Sequence, residues 1–147
     1  MGNTILKLPY DCEEIYMTRS EAREQAFFVL FEKSFCEDLT INEIVDTAQE
    51  AGLIKINNFA KILLDFAEAN AVAIDDIITE NLRGWTIQRL PKVSLAVLRL
   101  AVSEIKFVDE VPAGVSVNEA VELVKKYGTA EDASYVNGVL GTVVKGL

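Results

Sequence analysis

Two arginines four residues apart are the side chains best placed to bind an anionic ligand. Arg19 and Arg23 lie in a segment with helical periodicity, and this spacing puts both on one face of a helix. Two guanidinium groups on one face can reach the phosphates of one nucleic-acid strand. The alternative is a solvated face on which Arg23 pairs with Glu24. Repulsion between the two arginines favours an external anion.

The groups that enzymes commonly use are scarce in this sequence. The chain has no histidine, which removes the usual general base near neutral pH and every histidine–metal site. It also has no glycine-rich phosphate-binding motif. Asp75 and Asp76 are adjacent carboxylates, but we assign them to the first turn of a helix, where the helix dipole favours acidic residues. We therefore expect a protein that is not an enzyme and uses no cofactor.

The two cysteines predict neither a metal site nor a disulfide. Cys12 and Cys36 form no C-x-x-C pair, and we expect Cys36 to be a partly buried small side chain. Residues 1–7 lack the pattern of a secretory signal, and no apolar run is long enough to span a membrane. The expected location is the cytoplasm, without membrane contact.

Acidic residues dominate the charge of the chain. Its 147 residues include 14 Lys and Arg against 23 Asp and Glu, a formal net charge of −9. Residues 37–85 alone hold three basic and ten acidic residues. Bulk charge of this sign opposes non-specific binding to nucleic acid. Any RNA contact is therefore expected to be local and shared with a basic partner.

The apolar positions recur at helical spacing, and capping motifs mark where helices begin. Thr18-x-x-Glu21, Thr40-x-x-Glu43 and Ser116-x-x-Glu119 match the capping box, and Thr129-x-x-Asp132 opens a last helix. Glycines 52, 84 and 128 suit helix ends, and Pro91 suits a first turn. The pattern predicts seven helices, at about residues 19–36, 40–51, 55–71, 74–84, 91–105, 116–128 and 129–144.

Two of these helices indicate how the domain packs. The first has a stripe of small and aliphatic residues opposite a stripe formed by Phe27, Phe31 and Phe35. Such a helix is either sandwiched in the core or offers one face to a partner. The fifth is apolar nearly all round, so we expect it at the centre. The predicted fold is all-α, with two packed bundles sharing this helix in residues 18–147, preceded by an N-terminal extension, residues 1–17.

Short motifs along the chain resemble the NusB family of bacterial transcription antitermination factors. They are Thr18-Arg19-Ser20-Glu21-Ala22-Arg23-Glu24, Leu98-Arg99-Leu100-Ala101-x-x-Glu104, Val111-Pro112 with Val117 to Leu123, and Ala130-Glu131-Asp132 with Tyr135 to Leu140. The resemblance implies an all-helical protein that pairs with the ribosomal protein NusE. The pair would bind the boxA element of nascent, chiefly ribosomal, RNA and suppress premature termination, together with other Nus factors and RNA polymerase.

The resemblance also implies site residues. Those expected to contact RNA are Arg19, Ser20, Arg23, Lys125, Asp132 and Tyr135. Those expected to contact NusE are Phe31, Gln88, Arg89 and Ser94. The sequence departs from the family where Ser20 and Glu21 replace arginines, and where Ala113-Gly114 replaces an aromatic residue and a lysine. Both departures weaken the expected RNA surface.

Alternatives remain for single residues and for the whole chain. Tyr135 could be a half-buried core residue, Lys125 could serve only the helix dipole, and Arg99 and Glu104 are expected to form structural pairs in an apolar helix. The chain could instead be an RNA-positioning domain like the N-terminal part of ribosomal RNA cytosine methyltransferases. It could also form a homodimer that buries the phenylalanine stripe, with Phe31 in the seam.

Overall fold

The computed structural model describes residues 16–147, and the predicted helical periodicity gives seven α-helices in this part of the chain. They are α1 Arg19–Lys33, α2 Ile41–Glu50, α3 Asn58–Ala69, α4 Ala71–Asn81, α5 Lys92–Phe107, α6 Ala113–Tyr127 and α7 Ala130–Lys145. One turn of 3-10 helix, Ile87–Arg89, precedes α5. The predicted all-α fold is confirmed. Cys12 and almost all of the predicted N-terminal extension lie outside the described residues.

Side-chain caps fix the starts of several helices. The Thr18 hydroxyl accepts from the Glu21 N–H at 3.0 Å, and the Glu21 carboxylate accepts from the Thr18 N–H at 2.8 Å. Thr40 and Glu43 repeat this arrangement at α2. Each such cap stabilises its helix by about 1 kcal/mol. Capping spacing in the sequence therefore located these two helix starts correctly.

The start of α6 differs from its prediction. The helix begins at Ala113, directly after Pro112, so Ser116 lies inside it instead of capping it. Pro112 suits this place because its ring fixes φ and it has no N–H that needs a partner. Ser116 is 2% exposed, and its hydroxyl has no hydrogen-bond partner among the described residues. The predicted third capping box is therefore wrong.

Helix α5 is the centre of the fold, as predicted. It contacts α1 and α3, which pack against each other, and also α4, α6 and α7, of which α4 and α6 both pack against α7. The two groups of helices thus share α5, whose buried residues are Ser94 to Leu98 and Leu100 to Glu104. No helix within residues 16–147 is long and apolar enough to cross a membrane.

The two stripes of α1 are buried to different depths. The small and aliphatic stripe is buried throughout, and two of its members, Ala22 and Ala26, are fully enclosed. Along the phenylalanine stripe, exposure rises from 1% at Phe27 through a half-buried Phe31 to 60% at Phe35. The ring centroids are 5.8 Å apart for the first pair and 5.1 Å for the second. The end of α1 therefore exposes an aromatic surface.

Candidate RNA- and partner-binding surfaces

Arg23 is the centre of a buried ion-pair cluster between α1, α5 and α6. Its Nε donates to Glu104 Oε1 at 2.8 Å, and its Nη2 donates to Glu104 Oε2 at 2.6 Å. Glu119 lies 3.5 Å from the third nitrogen. Burial alone lowers the pKa of Arg23, but its hydrogen bonds to Glu104 and the charges of both glutamates raise it overall.

This cluster corrects the expectation that Arg23 faces RNA. The residue is 4% exposed. Glu104 binds two nitrogens of its guanidinium, and Glu119 lies beside the third, so no nitrogen is left for a phosphate. Helical spacing placed Arg23 on the same side of α1 as Arg19, but α5 and α6 cover it. The expectation that Glu104 forms a structural pair is confirmed.

Arg19 remains on the surface, one turn before Arg23. Its side chain is 52% exposed and makes an ion pair of 2.7 Å with Glu110, whose side chain is 65% exposed. Its guanidinium carbon lies 4.4 Å from the centre of the Phe59 ring. Exposed ion pairs contribute little to stability, so a phosphate can compete with Glu110 for this arginine. Ser20, the next residue, is also exposed.

Ser20 and Lys125 lie together in a shallow groove between α1 and α6, which we call the α1/α6 groove. It is lined by Ser20, Glu21, Glu24, Glu119, Glu122, Leu123, Lys125 and Lys126. Four carboxylates thus accompany two ammonium groups. Lys125 is 3.4 Å from Glu122. The structure therefore brings two predicted RNA residues together, but in an acidic environment.

Glu24 holds the other lysine of this groove. Its Oε2 accepts from Lys126 Nζ at 2.6 Å and from the Tyr127 hydroxyl at 2.5 Å. Partial burial raises the pKa of Glu24, but the two hydrogen bonds and the charge of Lys126 together lower it by more, so that the net shift is downward. The hydrogen bond from Lys126 to Glu24 and the charge of Glu24 raise the pKa of Lys126. This contact joins α1 to the end of α6.

Asp132 and Tyr135 lie at the start of α7, apart from the residues of the α1/α6 groove. The Asp132 N–H is capped by the Thr129 hydroxyl at 3.0 Å, and Asp132 is half-buried. The Tyr135 hydroxyl accepts from the Arg83 N–H at 2.9 Å and donates to the Arg83 carbonyl at 3.0 Å. Tyr135 therefore fastens the turn after α4, and the residue is half-buried.

The residues predicted to contact NusE have different surroundings. Phe31 is half-buried, and Gln88 and Arg89 are exposed in the 3-10 turn. Ser94 is 1% exposed, because it shares the inward face of α5 with Leu98 and Ala101. From this position it cannot reach a partner. The prediction that Ser94 contacts NusE is therefore corrected by its burial.

The adjacent carboxylates do not form an open acid–base pair. Asp75 accepts from two nitrogens of Arg99, each at 2.9 Å, and Glu37 lies 3.7 Å from the same guanidinium. Asp76 is exposed. Both residues lie in the second turn of α4, which begins at Ala71, so their predicted place in a first turn is wrong. The expected structural pairing of Arg99 is confirmed.

Sequence reasoning missed the partners that hold the candidate cations. Glu110 binds Arg19 across a separation of 91 residues. Glu24 binds Lys126 across a separation of 102 residues. Spacing along a helix carries no information about such contacts. A signal was present only for Glu104, since a carboxylate in an apolar helix requires a buried partner.

Known proteins are similar to this chain in fold and in sequence. The sequence profile of the NusB family matches residues 20–145. The chain is 40% identical over 131 residues to a transcription antitermination protein NusB from Lachnoclostridium phytofermentans, with 87% of this chain and 99% of that relative covered.

Solved structures agree with this match. A complex of the antitermination factors NusB and NusE with double-stranded RNA matches with a TM-score of 0.78 and 33% identity, covering 88% of this chain and 97% of that one. NusB of T. maritima matches with a TM-score of 0.78 and 30% identity, covering 89% and 93%. The helical fold and the sequence matches, which extend along nearly the whole of these relatives, establish that this chain belongs to the NusB family.

Proposed function

We propose that this protein is a transcription antitermination factor that binds RNA together with the ribosomal protein NusE. The observation that carries the proposal is the match to a NusB chain solved with NusE and double-stranded RNA, at 33% identity over 97% of that chain. The protein would act by binding, without catalysis. The RNA would be a boxA-type element of nascent ribosomal transcripts, and the assembly would include other Nus factors and RNA polymerase.

The proposed RNA surface consists of the members of the predicted set that are exposed or half-buried. Ser20 at the start of α1 lies with Lys125 in the α1/α6 groove, and exposed Arg19 precedes Ser20 in the chain. Asp132 and the half-buried Tyr135 would extend the surface onto α7. A tyrosine ring can contribute by stacking its face on a base. Arg23 supports this surface from beneath by fixing α1 against α5.

The proposed NusE surface contains Phe31 and the exposed pair Gln88 and Arg89. Large half-buried aromatic residues commonly dominate the energy of protein interfaces. A basic partner would also supply positive charge that this chain, at −9, lacks. The proposal therefore makes RNA binding depend on NusE.

This dependence can be measured by titrating a fluorescently labelled boxA-type RNA at fixed salt, with and without NusE from the same organism. We expect weak binding by the protein alone and binding at least about tenfold tighter with NusE, because the partner neutralises nearby carboxylates and adds phosphate contacts. NusE alone with the same RNA is the control. Equal affinity with and without NusE would contradict the proposal.

A further inference from the structure

A second groove, between α1 and α2, has an apolar floor and lies outside the proposed RNA surface. We call it the α1/α2 groove, and its volume is about 770 Å³. Its apolar lining consists of Phe28, Val29, Phe31, Leu39, Ile44, Ala48, Ala51, Leu53 and Ile54. Leu53 is 74% exposed at one end and Leu39 is 39% exposed at the other. Val29, Ile44 and Ile54 form a buried floor, and Leu39, Ala51 and Leu53 are exposed around it. Exposed apolar side chains around a concave apolar floor are a surface that a partner can cover.

Three carboxylates line the same groove without a cation to balance them. Glu32, Glu43 and Asp46 are exposed, and no Lys or Arg within residues 16–147 forms an ion pair with any of them. Glu43 Oε1 accepts from the Thr40 N–H of the capping box at 2.8 Å, and Glu32 Oε2 accepts from Cys36 Sγ at 3.6 Å, so their charges have only neutral donors. Lys33, the neighbour of Glu32, is engaged elsewhere, because its Nζ donates to the carbonyls of residues 37 and 39. In the α1/α6 groove, by contrast, Glu24 and Glu122 are each paired with a lysine.

We infer that the α1/α2 groove is a docking site for a short, positively charged amphipathic helix of a partner protein. An apolar face would fill the floor between α1 and α2, and lysines or arginines beside that face would pair with the three carboxylates. Helix α2 has 10 residues, so the groove accommodates about three turns of a bound helix. The inference does not depend on the RNA or NusE assignments.

Charge argues against the other occupants. RNA would bring phosphates next to three carboxylates that no cation within residues 16–147 neutralises. A second copy bound symmetrically through this groove would set these carboxylates against their own counterparts. The chain's own residues 1–15 carry Lys7 against Asp11, Glu13 and Glu14, and so bring no net positive charge. Phe31 is the single predicted NusE-contacting residue that lines the groove, and Gln88 and Arg89 lie outside it. The groove and the proposed NusE surface therefore share one residue.

The test uses the full chain labelled with ¹⁵N and a synthetic leucine–lysine peptide, with leucines at helical spacing over about four turns. A peptide of the same composition in scrambled order, without an apolar face, is the probe control. We expect saturable binding of the amphipathic peptide, with chemical-shift changes concentrated at Leu39, Ile44, Ala48 and Leu53. The scrambled peptide should cause no such pattern.

Matched variants separate groove binding from general attraction to an acidic protein. The double variant Glu32→Gln with Asp46→Asn should weaken peptide binding about three- to tenfold. The control, Asp76→Asn with Glu80→Gln, removes the same charge from exposed positions of α4 outside the groove and should leave affinity unchanged. Leu53→Ser changes a mostly exposed residue, so the fold should persist while affinity falls about fivefold.

Several results would overturn the inference. Equal weakening by the two charge variants would show attraction to the whole acidic surface. Groove resonances that shift with protein concentration in the absence of peptide would identify a second copy as the occupant. Shifts there on adding RNA would identify nucleic acid. Displacement of the peptide by NusE would show that the groove belongs to the NusE contact and not to a separate partner. If the peptide binds as expected but the protein does not bind RNA with NusE, the proposed function fails and this inference stands.

Discussion

The middle of α1 and its two ends carry the same kinds of side chain in opposite environments. In the middle, Arg23 is paired with Glu104 beneath α5 and α6, and Phe27 is enclosed. Arg19, at the start of α1, and Phe35, two residues beyond its end, are exposed. Residue type and spacing thus determine the side of a helix that a residue occupies. Its depth is determined by which helices cover that turn.

The largest expected loss of folding stability is at Arg23. Arg23→Ala would leave Glu104 buried without its partner, and removing one member of a buried ion pair costs about 3–5 kcal/mol of unfolding free energy. Arg19→Ala, one turn earlier, should cost less than about 0.5 kcal/mol, because it truncates an exposed side chain. Urea unfolding of both variants measures the difference. Similar losses in the two variants would show that depth does not separate their roles.

Phe31 is half-buried, between enclosed Phe27 and exposed Phe35. We expect its truncation to reduce NusE affinity more than folding stability. Phe31→Ala is expected to weaken NusE binding by about 1–3 kcal/mol, as truncation of an interface aromatic residue commonly does. Phe27→Ala is the matched core variant and should cost about 3–5 kcal/mol of folding stability. Urea unfolding and NusE affinity should be measured together. A loss at Phe31 confined to folding stability would exclude it from the NusE contact.

The smallest effect is expected at Glu24, at the margin of the buried region. Because the pKa of Glu24 is lowered in the folded state, its stabilising contribution is present above its usual pKa and is lost as pH falls through the lowered value. The stability gap between wild type and Glu24→Gln should therefore shrink between about pH 6 and about pH 3. Glu80→Gln, at an exposed position of α4, is the control. A gap independent of pH would contradict the role assigned to the Lys126 and Tyr127 contacts.

The sequence was sufficient for features that depend on neighbouring residues. The caps at Thr18 and Thr40, the positive φ of Gly52 just after α2, and the central place of α5 follow from local spacing and hydrophobicity. Helix α4 ends at Asn81, before the end predicted at Gly84. The cap predicted at Ser116 is wrong because the helix starts directly after Pro112, four residues earlier. Two start signals so close together cannot be ranked from spacing alone.

The candidate site was predicted less completely, because it depends on contacts between distant residues. Arg23 and Glu104 are 81 residues apart, and neither motif indicates that they meet. Ser94 was placed on the surface by resemblance, although its helix face is covered. Arg19, Ser20 and Lys125 are exposed as expected, and the glutamates around them became visible only in the folded chain.

The salt dependence of RNA binding tests most directly the claim that exposed Arg19, and not buried Arg23, serves RNA. Labelled boxA-type RNA is titrated into the NusE complex of wild type and of Arg19→Ala over a range of salt concentrations. Loss of one phosphate contact should make the slope of log affinity against log salt shallower by about 0.7 for single-stranded RNA. Unchanged slope and affinity in a folded Arg19→Ala complex would contradict the assignment of the start of α1 to RNA.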